Sequence, residues 1–317
     1  MRFDNRSRVS TYISAWMPTG DEPYAKSGYF GGGNDLSINY ASIDKIAFPV
    51  DTKTTLSATL TSARISLFGM ANSGVAGYFA GGNSGGYQSN IDRIAFSADT
   101  KTTLSATVSS ARISATSFAD SGTAGYFGGG YNGATNLTGV DKLAFPAETR
   151  TTISATLTSA VAHAAGASDN AVAGYLAGGD GSRLSRIDKI TYSGDTKSTL
   201  SATLSNAKYV VAGMADSGVA AYFAGGSTPT LTDYIDRIAF PTDTKTTITA
   251  TLSSARSDAK GMANSGTAGY FGGGADAIGN ISSIDKIAFP AETRTTLSAT
   301  LSAALYGQAA FADCGVF

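Results

Sequence analysis

The chain has very few of the side chains on which most active sites depend. Its 317 residues include one histidine, one cysteine and one tryptophan, and only three glutamates, Glu22, Glu148 and Glu292. The single cysteine, Cys314, excludes an intrachain disulfide, so the fold must be stabilised by its core. General acid–base pairs and metal sites are built mainly from His, Cys, Glu and Asp side chains. The composition therefore predicts no enzyme, no metal site and no cofactor.

Charge and long apolar runs are also scarce. Charged residues make up 15% of the chain and the net charge is −1, so a nucleic-acid partner, which normally requires a basic excess, is not expected. No stretch approaches the roughly 20 apolar residues of a membrane-spanning helix, and the first residues do not resemble a secretory signal. We expect a protein made in the cytoplasm without membrane insertion, a description that also fits a virion protein.

What the chain does contain is a sixfold repeat. The phrase Gly-Tyr-Phe-Gly-Gly-Gly at residues 28–33 returns five times with small changes, at spacings of 47 to 49 residues. The later copies begin at Gly77, Gly125, Gly174, Ala221 and Gly269. Six copies of one supersecondary unit indicate a single body of six units. Since most of what recurs is scaffold, we expect function where the copies differ.

The residue pattern of each unit predicts four short strands. In the second unit the strand-length segments are 64–71, 75–80, 91–96 and 102–108, joined by short turns rich in Gly, Asn, Asp and Ser. No window is long enough for an amphipathic helix. One four-stranded sheet of this size cannot cover its own apolar faces, whereas sheets packed radially around an axis can. We predict an all-β fold, a six-bladed β-propeller of four-stranded antiparallel blades.

The order of features in a unit resembles the kelch repeat over about residues 28–317. The motif residues are a tyrosine followed by two glycines, as in Tyr78 with Gly81 and Gly82. The equivalent tyrosines are Tyr29, Tyr126, Tyr175, Tyr222 and Tyr270. Kelch repeats usually carry a tryptophan in the fourth strand, where this chain has Leu56, Leu104, Ile153, Leu200, Ile248 and Leu297. The resemblance implies a kelch-like propeller and not an orthodox kelch domain.

The two ends of the chain predict how the ring closes. Residues 305–315 match residues 64–74 position by position, so they form a first strand that no second strand follows. The missing second strand is at the other end, at 28–30. We predict that the C-terminal strand completes the first blade, because exposed strand edges must be paired. A competing closure would use residues 12–16. With closure by the C-terminal strand, residues 1–27 form a non-repeat arm before a propeller of 28–317.

Variation between the units is concentrated in the loop after the paired glycines. These loops are residues 34–42, 83–90, 131–139, 180–186, 227–234 and 275–283. Loops on a rigid scaffold often carry binding, and tyrosine side chains offer amphipathic contact area to sugars or proteins. The alternative is that surface loops simply tolerate change. The candidate binding residues on this face are Tyr40, Tyr87, Tyr131, Arg183 and Tyr234.

The linkers between units open on the same face as these loops. One linker position reads Arg64, Arg112, Val161, Lys208, Arg256 and Leu305. Its four cations could ring the mouth of the central channel and bind an anion or an acidic sugar through carboxylate or phosphate. The structural alternative is that each cation pairs with a neighbouring Asp or a carbonyl at the blade end.

Two repeated acidic sets and the one histidine have structural interpretations. The first-hairpin set is Asn72, Asp120, Asp169, Asp216, Asn264 and Asp313, which could ring a cation, although Asp and Asn in tight turns ordinarily cap their own backbone. The third-strand set, which we expect to pair blades, is Asp44, Asp92, Asp141, Asp188, Asp236 and Asp285. Two of the glutamates, Glu148 and Glu292, replace Asp in a repeated turn, so we expect them to have a structural role. His163 could belong to a Ser–His–Asp set, but no nucleophile elbow is visible, so we expect it to pack or to line the channel.

The similarity of the tandem units suggests a function class. The segments 43–60 and 284–301 resemble repeats in virion proteins of bacteriophages, including those of cyanobacteria. The resemblance implies a non-enzymatic tail, fibre or capsid-attached protein that binds protein or host glycan. Its arm, with Arg6, Arg8, Trp16 and Tyr24, would then dock on other virion proteins or on sister subunits. The alternatives are a cytoplasmic kelch-type adaptor and a carbohydrate-active enzyme domain.

Overall fold

The computed structural model describes residues 26–180 and 183–313. In these residues all regular secondary structure is β-strand, arranged as antiparallel four-stranded sheets. The strands are β1 (Ser27–Gly31), β2 (Ile43–Ala47), β3 (Thr52–Thr55), β4 (Phe68–Asn72), β5 (Ala76–Ala80), β6 (Asn90–Ala95), β7 (Thr100–Thr107), β8 (Thr116–Asp120), β9 (Ala124–Gly128), β10 (Val140–Ala144), β11 (Thr149–Thr152), β12 (Ala165–Asp169), β13 (Ala173–Ala177), β14 (Ile187–Thr191), β15 (Thr196–Thr199), β16 (Ala212–Asp216), β17 (Ala220–Ala224), β18 (Tyr234–Ala239), β19 (Thr244–Thr251), β20 (Lys260–Asn264), β21 (Ala268–Gly272), β22 (Ile284–Ala288), β23 (Thr293–Thr296) and β24 (Ala309–Ala312). Over the same ranges there is no helix long and apolar enough to cross a membrane.

The sheets form the six blades of a closed β-propeller. Their strand orders, for blades 1 to 6, are β24-β1-β2-β3, β4-β5-β6-β7, β8-β9-β10-β11, β12-β13-β14-β15, β16-β17-β18-β19 and β20-β21-β22-β23. The first strands of the blades contact one another around the axis in the order β4, β8, β12, β16, β20, β24 and back to β4. The predicted six-bladed architecture is therefore confirmed.

The C-terminal strand completes blade 1, as predicted. In the β24–β1 ladder Ala312 lies opposite Gly28 and Ala309 lies opposite Gly31. Because β24 occupies the innermost place of this blade, the alternative closure through residues 12–16 is wrong. The propeller also begins slightly before the predicted boundary at residue 28, since β1 starts at Ser27 and the carbonyl of Lys26 accepts a 2.8 Å hydrogen bond from the Phe48 N–H.

The repeated tyrosine packs each blade against the next one. Tyr29 stacks on Phe96 with ring centroids 5.2 Å apart, and Tyr78 stacks on Phe145 at 5.3 Å. The other stacked pairs are Tyr126–Tyr192, Tyr175–Phe240, Tyr222–Phe289 and Tyr270–Phe48. Burying one such aromatic side chain contributes about 1.5–3 kcal/mol. The repeated phrase therefore supplies core packing between the sheets.

The glycines of the phrase meet two different requirements. Gly81 and Gly82 have φ values of +60° and +97° where the chain turns out of β5, a conformation that glycine adopts without a steric penalty. Gly77 is needed for space, because a Cβ atom at this position would lie 1.9 Å from the ring of Phe311 in blade 1. Both requirements belong to the scaffold and neither points to recognition.

The fourth strands form the rim of the propeller. Their exposed positions are mainly threonine, with one lysine or arginine in each strand, and such residues protect an unpaired strand edge from further pairing. Leu56, Leu104 and Ile248 are examples of the residues that stand in place of the kelch tryptophan. They pack against the cores between the blades, so the apolar contact is kept with a smaller side chain.

The propeller has two different faces because strand direction alternates within each blade. The loop face carries the second-to-third-strand loops and the linkers between blades, and the turn face carries the two hairpin turns of each blade. The N–H of Ser27 donates a 2.7 Å hydrogen bond to Oδ1 of Asp313 on the turn face. The start of β1 therefore lies on the turn face, opposite the variable loops.

Candidate functional site

The four linker cations are buried inside the blades and do not line an open channel mouth. Arg64, Arg112, Lys208 and Arg256 are at most 1% exposed. Arg64 Nη2 lies 2.9 Å from Asp92 Oδ2. The matching pairs are Arg112–Asp141 at 2.9 Å, Arg256–Asp285 at 2.7 Å and Lys208–Asp236 at 3.5 Å. A buried and paired cation is not accessible to an external anion, so the structure corrects the expected anion site in favour of the structural alternative.

The third-strand aspartates also hold the linkers between the blades. Asp92 accepts hydrogen bonds from the backbone N–H of Thr61 (2.9 Å), the hydroxyl of Thr61 (2.5 Å) and the hydroxyl of Thr103 (2.8 Å). Thr61 lies in the linker that leaves blade 1, so this carboxylate joins two blades. The equivalent linker contacts are Ser109–Asp141, Thr158–Asp188, Ser205–Asp236, Ser253–Asp285 and Ser302–Asp44. The predicted inter-blade pairing is confirmed.

Lys208 differs from the three arginines. Its ammonium group lies 4.3 Å from the centroid of the Tyr234 ring, and burial lowers the pKa of Lys208 to about 8. The hydroxyl of Tyr234 accepts a 2.8 Å hydrogen bond from Nδ2 of Asn206. Tyr234, a predicted binding residue, is therefore half-buried and covers a buried cation.

The sequence suggested that the Asp and Asn side chains of the first hairpin cap their own turns, but four of them bond to the neighbouring blade in the structure. Oδ1 of Asn72 accepts a 2.8 Å hydrogen bond from the Gly122 N–H in the next blade, and Oδ1 of Asp216 accepts one of 2.6 Å from Gly266. Asp120 and Asp169 make the same contact with Ala171 and Gly218. These side chains thus join neighbouring blades on the turn face, and burial raises the pKa of Asp169 and Asp216.

A further contact between blades on the turn face, which we call the clamp, consists of a core tyrosine and a cation of one blade that share a carboxylate of the next blade. The hydroxyl of Tyr78 donates to Glu148 in the next blade (2.8 Å), and Nε of Arg93 lies 2.7 Å from the same carboxylate. The other acids with a tyrosine and a cation are Asp99, Asp195, Asp243, Glu292 and Asp51. Glu148 and Glu292 belong to this repeated clamp, so their predicted scaffold role is confirmed.

The clamp predicts cooperative unfolding above pH 10. Burial, and then the adjacent carboxylate, raises the pKa of Tyr126 and Tyr175 far above the usual value of about 10, and burial is also the main cause of the raised pKa of Tyr78 and Tyr222. Unfolded tyrosines release their protons near pH 10, so above that pH the folded state binds more protons. Stability is therefore complete below pH 10 and falls as the pH rises. Absorbance at 295 nm and far-UV circular dichroism should change together.

The control for this titration is Tyr126→Phe, which keeps the ring and removes one ionisable group. We expect this variant to unfold at a higher pH than the wild type. A gradual rise in tyrosinate absorbance with unchanged circular dichroism would contradict the predicted coupling between the clamp and stability.

The loop face brings some of the predicted aromatic residues together. The rings of Tyr87 in blade 2 and Tyr131 in blade 3 meet edge to face with centroids 6.0 Å apart. Tyr40 remains within its own loop, where its hydroxyl donates a 2.9 Å hydrogen bond to Asp35. Arg183 lies over the ring of Tyr209 at 5.5 Å, a contact that the sequence did not suggest. The five predicted residues thus do not form one cluster.

Neighbouring loops are joined by asparagine side chains. Nδ2 of Asn280 in blade 6 donates to the carbonyl of Asn34 in blade 1 (3.1 Å), and Nδ2 of Asn39 donates to the carbonyl of Asn83 in blade 2 (3.2 Å). Nδ2 of Asn136 in blade 3 donates to Oδ1 of Asp180 in blade 4 (3.1 Å). With the contact between Tyr87 and Tyr131, these bonds connect the loops from blade 6 through blades 1, 2 and 3 to blade 4.

The most exposed apolar side chains of the loop face lie in two adjacent loops. Leu36 and Ile38 of blade 1 are 71% and 58% exposed, and Ile278 of blade 6 is 98% exposed. We call these three residues the apolar patch. Sequence reasoning concentrated on the aromatic residues and missed them, although isolated aliphatic residues between Asn, Asp and Gly in a loop were a visible signal.

Carboxylate and amide side chains fix the loops that carry the apolar patch. Oδ1 of Asp35 accepts hydrogen bonds from the N–H groups of Ser37 and Ile38, both 2.9 Å long. These backbone donors hold the pKa of Asp35 below its usual value. In blade 6, Oδ1 of Asp276 accepts a 2.8 Å bond from the N–H of Ile278. Such Asx turns define the loop backbone without burying the aliphatic side chains.

Comparison with known proteins does not assign this propeller to a family. No family model matches the chain, and no curated protein matches it. The six-bladed architecture is consistent with kelch-like repeats, but a propeller fold hosts many unrelated functions. Function must therefore be inferred from the residues on the surfaces of the propeller.

His163 lies at the loop-side mouth of the central channel. Its Nδ1 is 3.0 Å from Oδ2 of Asp180, and it lines a small cavity together with Ser66 and Ser114. Burial alone would raise the pKa of Asp180, but hydrogen bonds from His163 and Ala162 lower it overall. A Ser–His–Asp set also needs a serine hydroxyl bonded to the imidazole. In the described part of the chain His163 has no such bond, and its position agrees with the channel-lining role that we expected.

The predicted docking arm includes four candidate contact residues. Arg6, Arg8, Trp16 and Tyr24 lie outside the described residues. Their role in docking stays a prediction.

Proposed function

We propose that the protein is a non-enzymatic binding module and that its loop face binds the partner. The observation that carries this proposal is the apolar patch of Leu36, Ile38 and Ile278, which is exposed on a face made otherwise of polar loops. Exposed aliphatic side chains that cluster and are rimmed by polar groups mark interaction surfaces. The three residues come from neighbouring blades whose loops are joined by the Asn280–Asn34 hydrogen bond.

The loop face is organised before any partner binds. The Asx turns of Asp35 and Asp276 fix the two loops of the apolar patch, and the asparagine contacts hold them to their neighbours. A surface that is ordered in advance loses little conformational entropy on association. This organisation supports recognition of a rigid partner surface.

The chemistry of the apolar patch favours a protein partner. Aliphatic side chains bury well against another protein, whereas a sugar is recognised mainly by aromatic stacking and hydrogen bonds. The pair of Tyr87 and Tyr131 in the adjoining blades is the part of the face that suits a host glycan. We therefore propose a protein partner on the apolar patch, with glycan recognition on the tyrosine pair as the second candidate.

We further propose that the module is a bacteriophage virion component. The near-identical units at 43–60 and 284–301 support this proposal through their resemblance to phage repeats. Capsid and tail genes beside this gene would agree with the virion role, and their absence would favour the adaptor alternative.

The loop-face proposal predicts that binding depends on the apolar patch. The triple variant Leu36→Ser, Ile38→Ser, Ile278→Ser should bind a partner at least tenfold more weakly than the wild type, because the apolar area buried on association is lost. The probes are a glycan array and the purified products of the neighbouring genes, and affinities are measured by biolayer interferometry.

A matched control uses equally apolar residues on the opposite face. Val50, Val172 and Val219 are 69%, 47% and 43% exposed on hairpin turns. Their triple substitution by serine should leave binding unchanged. The proposal fails if the wild type binds none of the probes, or if the turn-face variant loses binding and the loop-face variant retains it.

A further inference from the structure

The axis of the propeller contains a cavity of about 60 Å³ between the first strands of all six blades. The second residues of these strands are small, namely Gly69, Ser117, Gly166, Gly213, Gly261 and Ala310. The cavity continues toward the loop face into a narrower space that His163 and Asp258 line. A space of this size holds a few water-sized groups, so it can accept only a small ligand.

Lys260 is the one charged residue among the described residues that line this axial cavity. It is the first residue of β20, and the equivalent residues of the other blades are uncharged: Phe68, Thr116, Ala165, Ala212 and Ala309. The backbone of Lys260 pairs with Gly272, but its half-buried side chain makes no salt bridge and no hydrogen bond in the described part of the chain. Burial lowers the pKa of Lys260, and Asp258 opposes this shift. An ammonium group among apolar and small residues is unfavourable unless an anion or water compensates it.

Thr116 provides a second and independent observation on the opposite side of the axis. It is the first residue of β8 in blade 3, and Lys260 has the same place in blade 6, three blades away around the ring. Thr116 lines the same cavity, is 3% exposed, and its hydroxyl oxygen has no hydrogen-bond partner. Buried hydroxyl groups are ordinarily hydrogen-bonded. A residue with a cationic side chain and a residue with an unpaired hydroxyl thus line one small space, and the Thr116 hydroxyl lies beside Gly166, which lines it as well.

We propose that the axial cavity binds a small monovalent anion, held by the ammonium group of Lys260 and the hydroxyl of Thr116. The volume of the cavity restricts the ligand to a halide or a single carboxylate of the size of formate. Asp258 at the loop-side opening disfavours ions of higher negative charge by repulsion. The site is separate from the apolar patch, and the proposal does not rest on the function of the loop face.

Bromide and formate are suitable probes for the full chain. Each probe replaces gluconate in the buffer, so that the ionic strength stays constant. Either probe should raise the melting temperature of the wild type, because a ligand that binds only the folded state stabilises it. Lys260→Ala should lower the affinity for the probe at least tenfold. This variant is expected to fold, since the equivalent residue is alanine in three other blades. Thr116→Val, which keeps the shape and removes the hydroxyl, should lower the affinity severalfold.

Crystals grown with bromide locate the anion directly. We expect an anomalous peak on the axis beside Lys260 in the wild type and no peak in Lys260→Ala. Lys197→Ala on the rim is the control and should behave as the wild type. A response to formate alone also supports the site and assigns it to carboxylates. The same anion dependence in Lys260→Ala and the wild type, or a wild-type axis that binds neither bromide nor formate, would overturn the proposal.

Discussion

Truncation of the chain after Ala304 should abolish the folded propeller. The truncated chain lacks β24 and therefore the innermost strand of blade 1. Phe311 of this strand is fully buried and packs on Tyr29 and Phe79, with ring centroids 5.6 and 4.5 Å apart. Loss of one core aromatic side chain costs about 3–5 kcal/mol, and a whole domain is stable by only about 5–15 kcal/mol. We expect no cooperative thermal transition by circular dichroism.

Two further variants separate ring closure from general damage. Truncation after Asp313 keeps β24 and should unfold at the wild-type temperature. Phe311→Ala keeps the strand and should lower the free energy of unfolding in urea by about 3–5 kcal/mol. If the chain that ends at Ala304 still unfolds cooperatively at the wild-type midpoint, closure by β24 is not what holds the ring together.

A circular permutant tests the same closure without removing the strand. In blade 3 the residues Ser-Gly-Thr connect Asp120 to Ala124, and Asp313 and Ser27 hold the equivalent positions in blade 1. Joining Asp313 to Ser27 through Ser-Gly-Thr, with new ends in the loop at 131–139, converts the closure into an ordinary hairpin. This chain should fold cooperatively, because blade 1 is then covalently continuous and blade 3, which is now divided between β9 and β10, is closed by pairing of the two chain ends.

The architecture could be predicted from the sequence because the sixfold repeat restricts the possible folds. The regular return of the tyrosine–glycine phrase fixed the number of blades, and the unmatched first strand at 305–315 identified the partner of β1. Both inferences depend only on strand length, strand count and the need to pair every strand. They do not depend on the depth at which any side chain is buried.

The site residues were harder to predict because burial depends on the neighbouring chain segments. Arginine is usually found on the protein surface, but Arg64 is buried and pairs with Asp92, 28 residues later in the chain. Asn72 has the pattern of a self-capping turn, but its nearest donor comes from the next blade, 50 residues away. Lys260 was missed for another reason. It is recognised as the one charged residue at this position only when the six equivalent residues around the axis are compared.

The buried pair of Asp92 and Arg64 should respond very differently to loss of either partner. Asp92→Ala leaves the guanidinium of Arg64 buried without its counter-charge and the N–H of Thr61 without its acceptor. Breaking a buried ion pair in this way costs about 3–5 kcal/mol. Arg64→Leu should cost clearly less, because Asp92 keeps the hydrogen bonds from Thr61 and Thr103 and lies 3.8 Å from Lys101. Urea denaturation followed by circular dichroism gives both values.

Blade 1 contains the arrangement that Arg64→Leu would create. Leu305 stands at the position of Arg64, and Asp44 is nevertheless buried there with hydrogen bonds from Ser302 and Thr55 and with Lys53 at 3.7 Å. A carboxylate with these donors is thus compatible with the fold when no buried cation is present. The double variant Asp92→Ala, Arg64→Leu should be more stable than Asp92→Ala alone, because it removes the unpaired charge. If Arg64→Leu is as destabilising as Asp92→Ala, the ion pair itself stabilises the blade, and the aspartate is not primarily an anchor for the linker.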